Sequence, residues 1–218
     1  MTDTPNVSMD PNEFMKRMKA IASDLWGGVA PEEEPSSVPE QRKELPTEPE
    51  KPKTDIQSLW KTADETIDWT DALAHSAPTD GLTGPRLWAF YHKHAQKVLA
   101  GDLTAYTEVL QKANPLGELT DFADNIRMQA QSPDKLESSF TCKSELLEQN
   151  RKLYPAAMAL RIARDLLACL PVEEVAVTAE NNGETIFSVT YTRQMLMHRN
   201  FVFTDPVALA KECGAEYK

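Results

Sequence analysis

The chain has 218 residues and a net charge of −11, from 34 acidic against 23 basic side chains. Such a surface repels phosphate backbones, and no long basic stripe interrupts it, which argues against nucleic-acid binding. No run of about 18 apolar residues is present, so no integral membrane segment is expected, and the acidic, polar opening "MTDTPNVSMDPNEF" is unlike a signal peptide.

Residues 11–26 form the first predicted helix. Asp10 can cap it, Pro11 suits its first position, and Glu13 completes a capping box. Gly27-Gly28 ends it. Phe14, Met18, Ile21 and Leu25 fall on one face, widened by Met15, Ala22 and Trp26, while Lys16, Arg17 and Lys19 make the other face mildly basic. Residues 29–54 then carry prolines and glutamates at close intervals, which block helix and sheet and predict a disordered linker.

Short helices are expected over 55–64 and 69–75, within a stretch 55–85 that ends in the loop "SAPTDGLTGP". The main folded domain is read as 86–218. It opens with a helix over 86–100 whose inner face is Leu87, Trp88, Tyr91, Ala95, Val98 and Leu99. Gly101 stops it, and Asp102 caps a helix over 103–113 with Leu103, Tyr106, Val109 and Leu110 inward.

The period then switches to two. Ile126, Met128 and Ala130 alternate with Arg127 and Gln129, and after the turn "SPD" Leu136, Ser138 and Phe140 alternate with Glu137 and Ser139. A long helix is expected from Ser144 to about Leu170, bent at Pro155 and apolar over most of its circumference, which marks it as central. Val175, Val177 and Ala179 match Phe187, Val189 and Tyr191 across Asn182-Gly183, the favoured pair of a type I′ hairpin. Asp205-Pro206 starts a last helix, closed by Gly214. The order α-α-β-β-α-β-β-α predicts an α+β domain, with helices packed on one face of an antiparallel sheet built from two hairpins.

Few residues suggest chemistry. His92 and His94 stand two apart on a helix and point about 200° away from each other, so they cannot share a metal ion; His92 is expected beside the buried face and His94 outside it. Cys142, Cys169 and Cys213 read as small buried or half-buried thiols of a reducing cytosol, which makes a cytoplasmic location the expectation. Neither a Walker loop nor a dinucleotide fingerprint occurs among the eight glycines, so no cofactor or metal is implied. Arg161 and Arg164 share a helix face that suits ion pairs with Asp165 and nearby acids better than a buried anion site.

The amino-terminal stripe is the clearest functional feature. An isolated helix of that length is marginal in water, so the stripe of Phe14, Met18, Ile21, Leu25 and Trp26 is built to dock on something. A partner protein and its own domain are the leading candidate surfaces, a second copy is a variant of these, and an anionic membrane ranks third because three basic residues supply little attraction. The expectation is a non-catalytic interaction module; the alternative is a small ligand-binding domain or enzyme using the polar sheet face, where Arg127, Gln129, Ser188 and Thr190 would line a pocket.

Two segments, "ALRIARDLLACLPVEEVAVTA" and "TIFSVTYTRQMLMHRNFVFTDPVALAKE", resemble part of a group of uncharacterised proteins from gut-dwelling Firmicutes, and "GDLTAYTEVLQKANPLGEL" is similar to their upstream helix. The resemblance spans roughly residues 86–212 and implies one continuous domain of bacterial origin; it implies no activity and no site residues.

Overall fold

Alternating apolar positions on four strands demand a partner layer, and the long apolar helix supplies it. The computed structural model describes residues 55–79, 81 and 83–218, which all belong to one compact unit. The predicted helix over 11–26, its docking residues Phe14, Met18, Ile21, Leu25 and Trp26, and the linker over 29–54 lie outside the described residues.

The helices are α1 (Trp69–Ala74), α2 (Pro85–Leu99), α3 (Leu103–Ala113), α4 (Ser144–Gln149), α5 (Leu153–Cys169), α6 (Arg193–Leu196) and α7 (Pro206–Glu212). The strands are β1 (Ala123–Ser132), β2 (Lys135–Cys142), β3 (Glu174–Asn181), β4 (Glu184–Thr192) and β5 (Glu216–Tyr217). The fold is α+β, and the five strands lie in the order β1-β2-β3-β4-β5.

Both predicted hairpins are present. Asn182 and Gly183 adopt φ of 51° and 81°, the left-handed pair that a type I′ turn requires. The join between the hairpins is parallel, Phe140 pairing with Ala179. That follows from the connection: α4 and α5 carry the chain from the end of β2 back to the start of β3, and a helical crossover returns the next strand in the same direction. The sheet is therefore mostly antiparallel with one parallel seam.

The expected long helix is two. It breaks at Asn150–Lys152, and Pro155 sits in the first turn of α5, where a missing N–H costs nothing, instead of bending a continuous rod. From Tyr154 to Cys169, α5 is buried at every position except Arg164, and it covers the sheet face formed by Leu136, Phe140, Val175, Val177, Ala179, Phe187, Val189 and Tyr191.

Asp102 caps α3, accepting from the Thr104 and Ala105 N–H groups, and Asp205 caps α7 through Val207 and Ala208. On α2, Trp88, Tyr91, Ala95 and Val98 face inward as expected. His94 joins them and Leu99 does not, being 44% exposed; the i, i+3, i+4, i+7 path from Tyr91 passes through residue 94 and leaves residue 99 off its edge. Leu103 likewise lies outside, and Ala105 takes its place.

The stretch before α2 packs into the same core. Ile56, Leu59, Trp60, Trp69 and Ala72 are buried with the residues of α5. The Trp60 indole N–H donates to the Thr204 carbonyl at 2.9 Å, and that of Trp69 to the Cys169 carbonyl at 3.0 Å. The expected helix over 55–64 is only a 3-10 turn at Leu59–Lys61. Its backbone carbonyls are consumed by Arg164, which donates to Trp60 O and, at 3.1 Å, to Thr62 O.

Candidate functional site

The segment from Arg193 to Asp205 connects β4 to α7 across the end of α5. Polar bonds fix its course. Arg193 donates Nε to Val172 O at 3.0 Å and one terminal nitrogen to Leu167 O and Leu170 O at 2.8 and 2.9 Å. It thereby satisfies carbonyls that the end of α5 leaves without an intrahelical donor. Arg199 donates to Met195 O at 2.8 Å and pairs with Glu212 at 2.9 Å. Asn200 O accepts from Phe203 N at 3.1 Å and from the Thr204 hydroxyl at 3.0 Å. The Arg164 guanidinium lies 3.7 Å from the centre of the Phe201 ring.

On this fixed backbone Leu196 turns inward and Phe201 is half-buried, while four large apolar side chains stay exposed. Met195 is 41% exposed, Met197 54%, Val202 59% and Phe203 85%. Leu196, Met197 and Phe201 also line a cleft of about 210 Å³ with Leu167, Ala168 and Arg193. A second cleft, of about 330 Å³, shares Leu167, Ala168 and Arg193 and continues along Leu170 and Pro171 to the exposed Leu99. The two clefts meet at Thr66, Leu167, Ala168 and Arg193 and make a groove of mixed polar and apolar lining over the C-terminal end of α5, running from Phe201 to Leu99. Charged groups line it along its length: Arg164 and Asp64 near Phe201, Arg193 where the two clefts meet, and Asp68 and Glu173 toward Leu99.

Beneath the Phe201 end lies the polar strip of α5. Arg161 Nε donates to Asp165 Oδ2 at 2.6 Å, and another of its nitrogens donates to the Thr62 hydroxyl at 2.7 Å. Asp64 and Glu118 carboxylate oxygens stand 3.9 and 3.8 Å from the same guanidinium. Asp165 is fully buried and also accepts from the Asp64 backbone N–H at 2.9 Å. Burial nevertheless pushes its carboxyl up to about 6, because two close donors only partly replace lost water. The expected pairing of Arg161 with Asp165 is thus present, as a structural lock between α5 and the Thr62–Asp64 segment.

The other candidates sort differently. Arg127, Ser139, Thr178 and Ser188 form one cross-strand row, and Gln129, Glu137, Ala176 and Thr190 the next. Arg127 and Gln129 share a shallow cleft of about 370 Å³ with Glu137 and Thr178. Ser188 and Thr190 lie three strands from β1, roughly 14 Å at the usual spacing, so the four share a face and do not converge.

Of the histidines, His94 is the buried one, contrary to the sequence expectation. Its ring stacks 4.3 Å from that of Phe90, and Nδ1 lies 3.2 Å from Glu108 Oε2 without hydrogen-bond alignment. His92 Nδ1 is 2.7 Å from Ala72 O. Burial pushes the Cys142 and Cys169 thiols up to about 12, so neither is a nucleophile at neutral pH. Among the described residues no cluster of three or more His, Cys, Asp or Glu could hold a metal ion, and no helix is long and apolar enough to cross a membrane.

The groove has a sequence signal that periodicity misses. "MLMHRNFVF" is apolar without a helical or strand period, and only its anchors, Arg193 and Trp60, turn it into a displayed surface. No protein-family model, no curated protein and no solved structure matches the chain.

Proposed function

We propose that this chain is a non-catalytic protein–protein interaction module of the bacterial cytosol. One observation carries the reading: a loop held by buried and charged hydrogen bonds keeps Met195, Met197, Val202 and Phe203 in water. Fully burying such a side chain is worth roughly 1.5 to 3 kcal/mol, and exposed apolar side chains gathered on one loop are a mark of interaction sites. Methionine and aromatic side chains are enriched in interfaces, methionine because its thioether adapts to varied partner shapes.

The groove suits an amphipathic helix of a partner protein. Arg164 and Asp64 stand at its Phe201 end, Asp68 and Glu173 at the other and Arg193 between, which favours an occupant with both signs of charge at its ends. In this reading the amino-terminal stripe is a second docking element on a tether, adding to affinity through effective concentration.

Deleting residues 1–28 tests the division of labour. The melting temperature of the remaining chain is expected to stay within about a degree while capture of the partner weakens strongly. A loss of several degrees would show that the stripe docks on its own body.

A further inference from the structure

A different cleft, where α4, the start of α5 and the β4–β5 edge meet, has the lining of a small-molecule pocket. It encloses about 460 Å³, within the roughly 300 to 1,000 Å³ of ligand sites. Leu147, Pro155, Ile186 and Tyr217 give it an apolar wall. Arg151, Lys152 and Lys218 line it as well, against one acidic side chain, Glu148. In a chain of net charge −11 this is a local reversal of sign.

The walls are already in place. Leu147 and Pro155 are buried. Tyr217 pairs with Phe187 across β4 and β5, and their rings meet edge-on with centres 4.8 Å apart. Lys218 N donates to Ile186 O at 3.0 Å, which closes the same edge. Backbone bonds also fix the link between α4 and α5. Asn150 N donates to Leu146 O at 3.1 Å and Tyr154 N to Asn150 O at 3.0 Å, with Arg151 and Lys152 exposed between them.

Two observations beyond the cleft's shape point to an anion. The side chains of Arg151, Lys152 and Lys218 make no hydrogen bond and no ion pair among the described residues. Arg161, Arg164, Arg193 and Arg199 each bond a protein acceptor instead. The backbone adds to the free cations. Lys152 is the N-cap of α5, a helix of 17 residues whose start has no side-chain cap and no acid in its first turn. An aspartate offsets the positive end of α3 and of α7; that of α5 is left uncompensated beside Pro155, in the cleft wall. The charge calls for an anion, and the apolar wall calls for a carbon body attached to it.

We propose that this cleft binds an organic acid with an apolar body: the body lies against Leu147, Pro155, Ile186 and Tyr217, Arg151 and Lys152 donate to the carboxylate, and Lys218 adds to the attraction. The body is either an alkyl chain or an aromatic ring. This proposal is independent of the loop that displays Phe203.

The test follows the Ile186 methyl resonances of the full chain during titration with octanoate, with 3-phenylpropanoate, and with two controls, 3-phenylpropan-1-ol and acetate. The acids are expected to give saturable shifts that weaken with salt, and the controls none. Tighter binding of octanoate identifies an alkyl acid as the ligand class, and tighter binding of 3-phenylpropanoate an aryl acid. The double variant Arg151→Gln/Lys152→Gln is expected to weaken binding about tenfold, and Glu148→Gln to strengthen it about twofold, the effects of losing two exposed charge contacts and one like charge. All three positions are exposed, and an unchanged amide spectrum away from the cleft verifies the fold. Saturation by neither acid up to about 20 mM, well above a millimolar Kd, equal binding of the alcohol or of acetate, or affinities that do not move in these two opposite directions would overturn the proposal.

Discussion

The Trp60 indole N–H donates to the Thr204 carbonyl at 2.9 Å, tying the start of the described chain to the loop that displays Phe203. The bond joins positions 144 residues apart. It also explains why the loop holds its shape although its side chains are exposed.

Trp60→Phe keeps a ring in the core and removes this bond. A net loss of about 1 kcal/mol is expected, lowering the melting temperature by about 2 to 4 °C. Amide exchange at residues 200–204 should speed up while that of β2 and β3 stays unchanged, which hydrogen-exchange mass spectrometry resolves. Uniform acceleration across both regions would assign Trp60 to the core alone.

Gly101 is irreplaceable for two reasons. Its φ is +75°, and a Cβ there would stand 2.7 Å from the Pro133 Cβ in the β1–β2 turn. Gly101→Ala is expected to destabilise by about 2 to 4 kcal/mol, combining left-handed backbone strain with overpacking. Gly183 has a similar φ of +81° with nothing within 4 Å, so Gly183→Ala should lose only about 1 to 2 kcal/mol. Urea unfolding of the two variants separates strain from contact.

The buried Asp165 predicts a pH signature. Its folded pKa, about 6, lies above the unfolded value of 3.8, so the folded state binds its proton more tightly. That contribution is fully present below the unfolded value and is lost as pH rises from about 4 through 6. Asp64 shifts in the same direction. Across that window the wild-type chain should lose on the order of 2 to 3 kcal/mol relative to Asp165→Asn. Parallel stability curves for the two proteins between pH 4 and pH 7 would contradict the assignment.

Local chemistry made most elements readable in the sequence. Asp102 and Asp205 cap the helices assigned to them, Asn182-Gly183 turns the hairpin, and the period-two runs are strands. What could not be read depends on distant partners. The parallel seam between Phe140 and Ala179 follows from where α5 returns the chain, which no pattern within either hairpin encodes. The break before α5 is not legible because Asn150–Lys152 carries no breaker stronger than an asparagine, while Pro155 is tolerated in the first turn of α5. The groove is not legible because "MLMHRNFVF" is held by Trp60, 144 residues away, and by bonds from Arg193 to carbonyls of the distant Leu167 and Leu170. Tyr91, by contrast, is placed on the buried face by its spacing, and only the structure shows it lining a cleft with Asp64, Glu65, Asp68 and Asp71.

The central claim, that the exposed apolar side chains of the loop carrying Phe203 receive another protein, is tested most directly by photo-crosslinking. A photoreactive p-benzoylphenylalanine replaces Phe203 in the full chain in its native host cell, with the same probe at Thr178 on the sheet face as control. The account predicts a crosslink from position 203 to a peptide of a different polypeptide, lost on adding Met197→Ser and absent from position 178. No crosslink, or one joining position 203 only to residues 11–26 or to a second copy of this chain, would contradict it.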